Sequence, residues 1–375
     1  MNDLFRLDDN YFTRDMVGEF DCSDSVLADM LRAQGYSPRR LKALLSDAAS
    51  RSLESIATAA RLLTLQRFGR AKQLYVPLYV SNYCRNNCKY CGFSTEHKFE
   101  RTRITVEQAV EQGEIIASEG FRHILLLSGE DPRHASVEFF AQLASKLRKS
   151  FAAIDIEIYP CSTDQYKKLF DAGIDGITIY QETYDPVLYS ELHTKGPKKD
   201  YYWRLDTPQR AAEAGFRRIG IGTLLGLGDW RRETLALAEH CAFLMKRYWK
   251  SQVSVSFPRI RPAEQVLPDF VEFVPDEALV KMMFALRLCF PDVGIVLSTR
   301  ESREFRNHLI DICVTKLSAG SKTNPGGYGN AQPEAVEQFC IDDSRTPAEM
   351  EILLKTMGYE AVWKDWDSGF SISKS

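Results

Sequence analysis

The chain repeats a short β-rich run followed by an amphipathic stretch, and this repetition restricts the possible folds more than any other feature. Eight such runs lie at residues 74–81, 123–129, 154–160, 176–182, 218–226, 253–260, 294–300 and 314–320. Alternation of strand and helix is typical of a parallel sheet with helices packed outside it. The pattern predicts a (βα)8 TIM-type α/β barrel. A partial barrel stays open, because strand counts from one sequence vary by one or two.

The barrel pattern occupies only the middle of the chain. Residues 1–70 show apolar positions at helical spacing, which predicts an N-terminal helical extension that covers the barrel bottom or binds a partner. Residues 321–375 contain a Gly/Pro loop, a helix pattern and an aromatic end segment that we expect to dock on the body. We therefore predict three parts: the extension at 1–70, the barrel at 71–320 and a C-terminal capping segment at 321–375.

Several predicted strands alternate between apolar and polar residues. Parallel strands covered on both faces usually read as continuous apolar runs, and packed barrel interiors are branched aliphatic. Here one face of each strand is suited to the outer helices and the other is polar. The interior face predicted in this way contains Asp155, Glu157, Tyr159, Thr178, Tyr180, Glu182, Ser254, Ser256, Ser298 and Arg300. A polar interior indicates a wet cavity that holds a ligand.

Composition favours a cytoplasmic protein that binds neither membrane nor nucleic acid. The 375 residues carry 48 basic and 51 acidic side chains, and a net charge of −3 argues against general binding of nucleic acid. No apolar run approaches the ~18 residues of a membrane span, and the N-terminus lacks the apolar region of a signal peptide. Six of the nine cysteines are scattered, which suits a reducing compartment.

The other three cysteines follow the first predicted strand within one loop. Cys84, Cys88 and Cys91 form a C-x3-C-x2-C run. Three thiolates can hold three corners of an iron–sulfur cluster and leave the fourth iron open, whereas a structural metal site normally needs a fourth protein ligand. The run predicts a [4Fe–4S] cluster. The alternative is zinc with His97 or His123 as the fourth ligand.

Polar residues also follow the other predicted strands, at the barrel end where active sites lie. They are Ser128-Gly129-Glu130, Gln181-Glu182, Arg259, Arg261, Ser298-Thr299-Arg300 and Ser318. Structural roles stay open for three of them. Glu130 is suited to a surface loop or a helix cap, Glu182 to a bridge across the barrel, and Arg300 to a structural ion pair.

The cysteine run resembles that of the radical S-adenosylmethionine (SAM) enzymes. Further stretches resemble the tyrosine lyases of that group, and among them the 2-iminoacetate synthases of thiamine thiazole biosynthesis. They are spread between about residues 64 and 367 and read YVPLYVSNYC, CGFS, LLLSGE, YQETY, KGPKKDYYWRL, VSVSFPRIRP, LSTRES, SKTNPGGY and VWKDWD.

The resemblance implies a complete reaction. A [4Fe–4S] cluster binds SAM at its open iron, and an electron from reduced flavodoxin or ferredoxin splits SAM to methionine and a 5′-deoxyadenosyl radical. The radical takes a hydrogen atom from the amine of L-tyrosine. The Cα–Cβ bond then breaks to give p-cresol and 2-iminoacetate (dehydroglycine), which a thiazole synthase consumes.

The resemblance also implies roles for individual residues. Cys84, Cys88 and Cys91 hold the cluster, and Glu130 accepts hydrogen bonds from the SAM ammonium, although Ser128 replaces the first glycine of the family's motif. The other implied roles are adenine support by Tyr90, contacts to SAM by Glu182 with Lys198 or Arg204, and binding of the tyrosine carboxylate by Arg300 with Ser298 and Ser318.

Two further interpretations stay open. The first keeps the radical SAM class and changes the substrate to another amino acid, or the role to hydrogenase cofactor assembly. The lyase of that assembly adds a cysteine-rich C-terminal extension, whereas this chain has only Cys340 after Ser318, so further breakdown of 2-iminoacetate to CO and cyanide is not expected. The second is a non-catalytic scaffold with structural zinc.

Overall fold

A closed barrel of eight parallel strands forms the body of the protein. The computed structural model describes residues 4–8, 10–13, 18–261, 272–329 and 335–363. In chain order its strands are β1 (Ala71–Ser81), β2 (Asn87–Cys88), β3 (His123–Ser128), β4 (Ala153–Glu157), β5 (Gly176–Glu182), β6 (His193–Lys195), β7 (Arg218–Thr223), β8 (Gln252–Ser256), β9 (Gly294–Leu297), β10 (Lys316–Ser318) and β11 (Glu360–Val362). The barrel order is β1-β3-β4-β5-β7-β8-β9-β10, and β10 pairs with β1 to close it. The predicted (βα)8 barrel is confirmed, and the partial barrel is excluded.

Helices surround the barrel and precede it. They are α1 (Asp24–Arg32), α2 (Pro38–Leu44), α3 (Asp47–Arg51), α4 (Leu53–Phe68), α5 (Val106–Ser118), α6 (Val137–Leu147), α7 (Thr163–Asp171), α8 (Pro186–Leu192), α9 (Tyr201–Leu205), α10 (Thr207–Glu213), α11 (Trp230–Arg247), α12 (Asp276–Cys289), α13 (Arg303–Ile310) and α14 (Pro347–Thr356), with a 3-10 turn at Pro197–Lys199. Two helix ends in the N-terminal extension carry the usual residues. The Ser37 hydroxyl caps α2 by accepting a bond from the Arg40 N–H, and Gly69 ends α4 with a φ of +62°.

The two faces of β4 show how the interior is built. Its outward isoleucines, Ile154 and Ile156, join the apolar core beneath the helices, as does Ile158 just after the strand. Asp155 and Glu157 face inward, as predicted, and line cavities of the barrel. The prediction that Tyr159 shares this inward face is wrong. β4 ends at Glu157, and Tyr159 packs in the outer core, where its hydroxyl donates to the Ala135 carbonyl at 3.0 Å.

Segments from both ends of the chain pack on the barrel. Helices α2, α3 and α4 pack against α12, and β11 extends the sheet beside β1 at its N-terminal end. Trp363 contacts Phe121 edge-on, with ring centroids 5.1 Å apart. The rest of the predicted docking tail, from residue 364 onward, lies outside the described residues. Within the described ranges, no helix is both long and apolar enough to cross a membrane.

Candidate active site

The three cysteines lie in the loop after β1, at the C-terminal end of the barrel. Arg101 holds this loop in shape: its guanidinium donates to the carbonyls of Asn82 at 2.8 Å, Phe93 at 2.8 Å and Ser94 at 2.6 Å. Arg101 belongs to no sequence motif, because it acts on backbone carbonyls. Its contacts fix the path of the chain around Cys91.

A two-stranded antiparallel sheet attaches the loop to the segment before α9. In it β2 pairs with β6, and the Asn87 side chain donates to Glu96 at 2.5 Å and to Thr194 at 2.7 Å. Gly196 follows β6 with a φ of +91°, and a Cβ there would lie 2.4 Å from the Arg85 carbonyl oxygen. A side chain at this position would therefore separate the two segments.

The thiols fit an iron–sulfur cluster better than a single metal ion. All three are free, and burial raises the pKa of Cys84 to about 11 and that of Cys88 well above its ordinary value. Such thiols need a bound cation to become thiolates. A structural zinc site normally needs a fourth protein ligand, whereas three thiolates can hold an iron–sulfur cluster and leave one iron open. The three thiols remain available to bind separate irons.

The two histidines proposed as zinc ligands have other contacts. His97 lies with Nδ1 3.1 Å from the Gly92 carbonyl oxygen. His123 is on β3, with Nε2 2.6 Å from a carboxylate oxygen of Asp155 inside the barrel. Neither histidine supplies a fourth ligand beside the cysteines.

Glu130 follows β3 and lies partly buried beside the cysteine loop. Its two carboxylate oxygens accept from Arg204 Nη1 at 2.8 Å and from Asn86 Nδ2 at 2.8 Å. Burial alone would raise the pKa of Glu130, but the positive charges of Arg204 and Lys198 outweigh burial and lower it. Glu130 is therefore an anchored anion, and neither a surface residue nor a helix cap.

The Ser128-Gly129 pair before Glu130 fits close against the loop. A Cβ on Gly129 would lie 2.4 Å from the Tyr83 carbonyl oxygen, so a side chain is excluded there. The Ser128 hydroxyl is buried without a hydrogen-bond partner in the described part of the chain, and it borders the cavity beside the cysteines. A buried unpaired hydroxyl facing a cavity fits a site that receives a polar ligand.

Glu182 ends β5 in a strained backbone conformation. Its φ is +73°, the one left-handed value among the described residues other than glycine. The carboxylate accepts from Lys198 Nζ at 2.7 Å and lies 3.6 Å from Arg204 Nη2. Both partners come from the segment after β6, so Glu182 does not bridge two barrel strands. Strain of this kind is often found at functional sites.

Tyr90 is fixed by a histidine that the sequence analysis missed. The Tyr90 hydroxyl lies 2.6 Å from His193 Nε2, and His193 Nδ1 lies 2.7 Å from the Tyr189 carbonyl oxygen. Burial, and next the charge of Lys198, lower the pKa of His193 to about 2, so the ring is neutral. Nδ1 then donates a hydrogen bond to the Tyr189 carbonyl, and Nε2 accepts a hydrogen bond from the Tyr90 hydroxyl.

Arg300 lies on the other side of the barrel mouth. Its guanidinium stacks on the Phe339 ring, 3.4 Å from the centroid, and has no ion-pair partner in the described ranges. In contrast, Arg259 pairs with Asp276 at 2.7 Å and with Glu301. A structural ion pair therefore does not account for Arg300.

The serines beside Arg300 are partly engaged by the backbone. The Ser318 hydroxyl accepts from the Thr299 N–H at 3.1 Å, and the Ser298 hydroxyl accepts from the Arg300 N–H at 3.4 Å. Both serines line a cavity of about 110 Å³ together with Arg300. The Ser318 side chain also hydrogen-bonds Tyr75.

This cavity adjoins a second one, of about 70 Å³, beside the cysteines. Residues common to both are Tyr79, Cys91, Leu127, Glu157, Glu182 and Gln338. Gln338 donates to Cys91 Sγ at 3.8 Å and accepts from the Tyr79 hydroxyl at 2.6 Å. The two cavities form one continuous site, with the cysteine loop at one end and Arg300 at the other.

A network of charges lines a further cavity, of about 160 Å³, in the barrel below this site. Asp155 accepts from Arg218 at 2.8 Å and from Lys316 at 3.1 Å, in addition to its contact with His123. The rings of Tyr75 and Tyr180 border both this lower region and the upper cavity. They form the floor of the candidate site.

Comparison with known proteins places these features in a family context. The model of the radical SAM superfamily matches residues 78–241, and that of the biotin and thiamin synthesis associated domain matches residues 256–360. The 2-iminoacetate synthase of Salmonella typhimurium is 43% identical over 90% of this chain and 89% of its own length, and that of Escherichia coli is 41% identical over 90% and 89%.

Solved structures show the same architecture. The hydrogenase maturase HydG from Carboxydothermus hydrogenoformans is 30% identical, with a TM-score of 0.84 over 92% of this chain and 80% of HydG. Methylornithine synthase is 22% identical with a TM-score of 0.73, covering 90% of this chain and 97% of that structure, which shows the fold alone.

Proposed function

The chain belongs to the 2-iminoacetate synthase family of radical SAM enzymes, and we propose that it cleaves the Cα–Cβ bond of L-tyrosine to give p-cresol and 2-iminoacetate for thiazole formation in thiamine biosynthesis. The observation that carries this proposal is the continuous cavity between the three free thiols and Arg300. One end suits the cofactors of the family, and the other suits the carboxylate of an amino acid.

Enzymes of this family use a [4Fe–4S] cluster and SAM. When bound, these groups supply a 5′-deoxyadenosyl radical. The residues that would hold them are Cys84, Cys88 and Cys91 for the cluster, and Tyr90, Glu130, Glu182, Lys198 and Arg204 for SAM. The buried Ser128 hydroxyl supports this assignment, because it offers an unused hydrogen bond to the same cavity.

The chain's own residues bind and orient the substrate. Arg300 offers a planar fork of N–H donors, which matches a carboxylate in two parallel hydrogen bonds. Phe339 holds the guanidinium from one side, and Ser298 and Ser318 line the same cavity. The wall of Tyr75, Tyr79 and Tyr180 limits the space available to the aromatic ring of the substrate.

The second candidate, a role in hydrogenase cofactor assembly, is favoured by the structural likeness to HydG. A HydG crystal structure matches with a TM-score of 0.86 at 29% identity, over 94% of this chain and 81% of HydG. Identity to the 2-iminoacetate synthases is higher, at 43% and 41%, and spans 89% of their length. We therefore rank 2-iminoacetate formation first.

Two protein partners complete the proposal: a thiazole synthase that consumes 2-iminoacetate, and reduced flavodoxin or ferredoxin as electron donor. Exposed basic residues around the cysteine loop support an acidic donor. Arg85, Lys89, Lys195 and Lys199 have no ion-pair partner among the residues described. Positive charge near a redox centre steers an acidic protein to it. We also propose a cytoplasmic location, because the nine cysteines are free and such electron donors belong to a reducing compartment.

Product analysis tests the proposal. Anaerobic enzyme reconstituted with iron and sulfide, and supplied with SAM, reductant and tyrosine, should form p-cresol, 2-iminoacetate and 5′-deoxyadenosine. Cys88→Ala should form none of them. If fully loaded wild-type enzyme makes 5′-deoxyadenosine without p-cresol, or acts only on another amino acid, tyrosine is the wrong substrate.

A further inference from the structure

Glu157 lies where the two cavities of the site meet, and none of the roles above uses it. It is the last residue of β4 and lines both the cavity beside the cysteines and the cavity beside Arg300. Its carboxylate forms no hydrogen bond or ion pair within the described part of the chain. Leaving a carboxylate unpaired inside a barrel is costly, so its presence indicates a ligand that pairs with it.

The closed barrel places Glu157 across the interior from Arg300. Counted from β1, strand β4 is third and strand β9 seventh of the eight in the barrel, so the two strands are diametrically opposed. Arg300 follows the last residue of β9, Leu297, by three positions. An anion and a cation therefore face each other over the same cavity.

An α-amino acid is complementary to this pair. It carries an ammonium and a carboxylate on one carbon, and Arg300 is already suited to the carboxylate. We propose that Glu157 binds the amino group of the substrate and accepts its ammonium proton. This inference rests on the proposed function, and it assigns the second half of amino-acid recognition to a residue on β4.

The proton transfer balances without any further reactant. The substrate R–NH3⁺ and the Glu157 carboxylate become R–NH2 and the Glu157 carboxylic acid, with one proton moved and no electron transferred. The neutral amine then carries the N–H bond from which a hydrogen atom is taken. A partly buried carboxylate accepts the proton readily, because transfer removes both charges from a poorly solvated cavity.

The groups around Glu157 agree with this role. Burial, and next the Glu182 carboxylate, raise the pKa of Glu157 to about 7, while Arg300 opposes the rise. The charged and titratable groups that act on it, or on which it acts, are Tyr75, Tyr79, Tyr180, Glu182, Lys198, Arg204 and Arg300. Glu157 is thus a carboxylate that can take or keep a proton near neutral pH.

Binding of matched ligands tests the assignment. The ligands are L-tyrosine, tyramine, which lacks the carboxylate, and 3-(4-hydroxyphenyl)propanoate, which lacks the amino group. Their dissociation constants are measured by anaerobic equilibrium dialysis on reconstituted enzyme with SAM, in wild type, Glu157→Gln and Arg300→Gln.

We expect Glu157→Gln to weaken the binding of tyrosine and tyramine roughly 10- to 100-fold and to leave the binding of the propanoate unchanged. Arg300→Gln should weaken the binding of tyrosine and of the propanoate and leave the binding of tyramine unchanged. Glu157→Asp keeps the carboxylate and should restore part of the loss for the two amines. This crossed pattern requires a direct contact and cannot arise from general damage to the fold.

The inference is overturned if Glu157→Gln changes the affinity of all three ligands equally, or of none. If that variant does not fold, the same comparison with Glu157→Asp decides, because a shorter carboxylate must still discriminate amines from the propanoate. Failure of the proposed function is a separate result: wild-type enzyme would then bind tyrosine but release no p-cresol.

Discussion

Asp155 and Glu157 are two residues apart on the same inward face of β4, yet their surroundings are opposite. Asp155 is surrounded by Arg218, His123 and Lys316, and these charges overcome burial and hold its pKa well below its ordinary value. Glu157 has no such partner, and burial raises its pKa to about 7. The difference separates a carboxylate whose charge is paired within the folded chain from one whose charge is left unpaired.

The same contrast holds for two arginines. Arg306 is fully buried, pairs with Asp343 and donates to the Ser318 carbonyl at 2.6 Å. Arg300 stacks on Phe339 and has no acidic partner in the described ranges. Paired charges hold the barrel together, whereas the unpaired ones line the proposed substrate cavity. The following substitutions test that division.

The largest effect is expected for Asp155→Ala. Removing this carboxylate breaks its buried contacts with His123, Arg218 and Lys316 inside the barrel and should lower the free energy of unfolding by about 3–5 kcal/mol. Because the folded-state pKa of Asp155 is depressed, its contribution is present above the unfolded pKa and is lost only in acid, as pH falls through the folded value. Denaturant unfolding at pH 7 and below pH 4 measures both. Equal stability of variant and wild type at pH 7 would contradict the structural role.

Glu157→Gln should raise the free energy of unfolding, in contrast to Asp155→Ala. Because the pKa of Glu157 is raised when the chain folds, its stabilising contribution is present below the unfolded pKa and is lost as pH rises through about 7. The variant should therefore gain stability relative to wild type between pH 5 and 8, by up to about 3 kcal/mol. Thermal unfolding across this range is the measurement, and a variant less stable than wild type at pH 8 would show that Glu157 is structural.

Arg300→Lys should affect substrate use more than folding. Lysine keeps the charge but loses the fork, so KM for tyrosine should rise roughly 10- to 50-fold with a smaller change in kcat. Arg306→Lys is the matched control, and it should lower stability because it disrupts a buried pair. An Arg300→Lys enzyme with unchanged KM would remove Arg300 from carboxylate binding.

The smallest effect is expected at the surface. Lys195→Glu with Lys199→Glu should lower kcat/KM for reduced flavodoxin roughly tenfold and leave the dithionite-driven rate unchanged. The control pair, Lys246→Glu with Lys250→Glu, makes the same change of charge at the opposite end of the barrel. Equal losses in both pairs would mean that net charge, and not this surface, determines the rate.

Strand alternation predicted the inward face of β4 from the sequence, but it could not distinguish Asp155 from Glu157. Both are acidic residues at alternate positions. Their pKa values differ because the closed barrel places different charged residues around each carboxylate. Tyr159 was misplaced for a related reason, since alternation does not show where a strand ends. The cluster ligands could be predicted from the sequence because the three cysteines lie close together in one loop.

Residues that act on the backbone or through other side chains escaped prediction. Arg101 stabilises the cysteine loop through three carbonyls, and His193 positions Tyr90 from a segment about 100 residues away. Neither role leaves a pattern in the sequence. Tyr90 and His193 become neighbours when β2 pairs with β6.

The left-handed backbone at Glu182 has a consequence for engineering. A residue other than glycine in that conformation costs about 1–3 kcal/mol, so glycine would be the more stable choice there. A library selected only for heat resistance would therefore drift toward Glu182→Gly and lose the anchor of Lys198. Engineering for higher thermal stability should therefore leave Glu182 unchanged and substitute other positions of the chain.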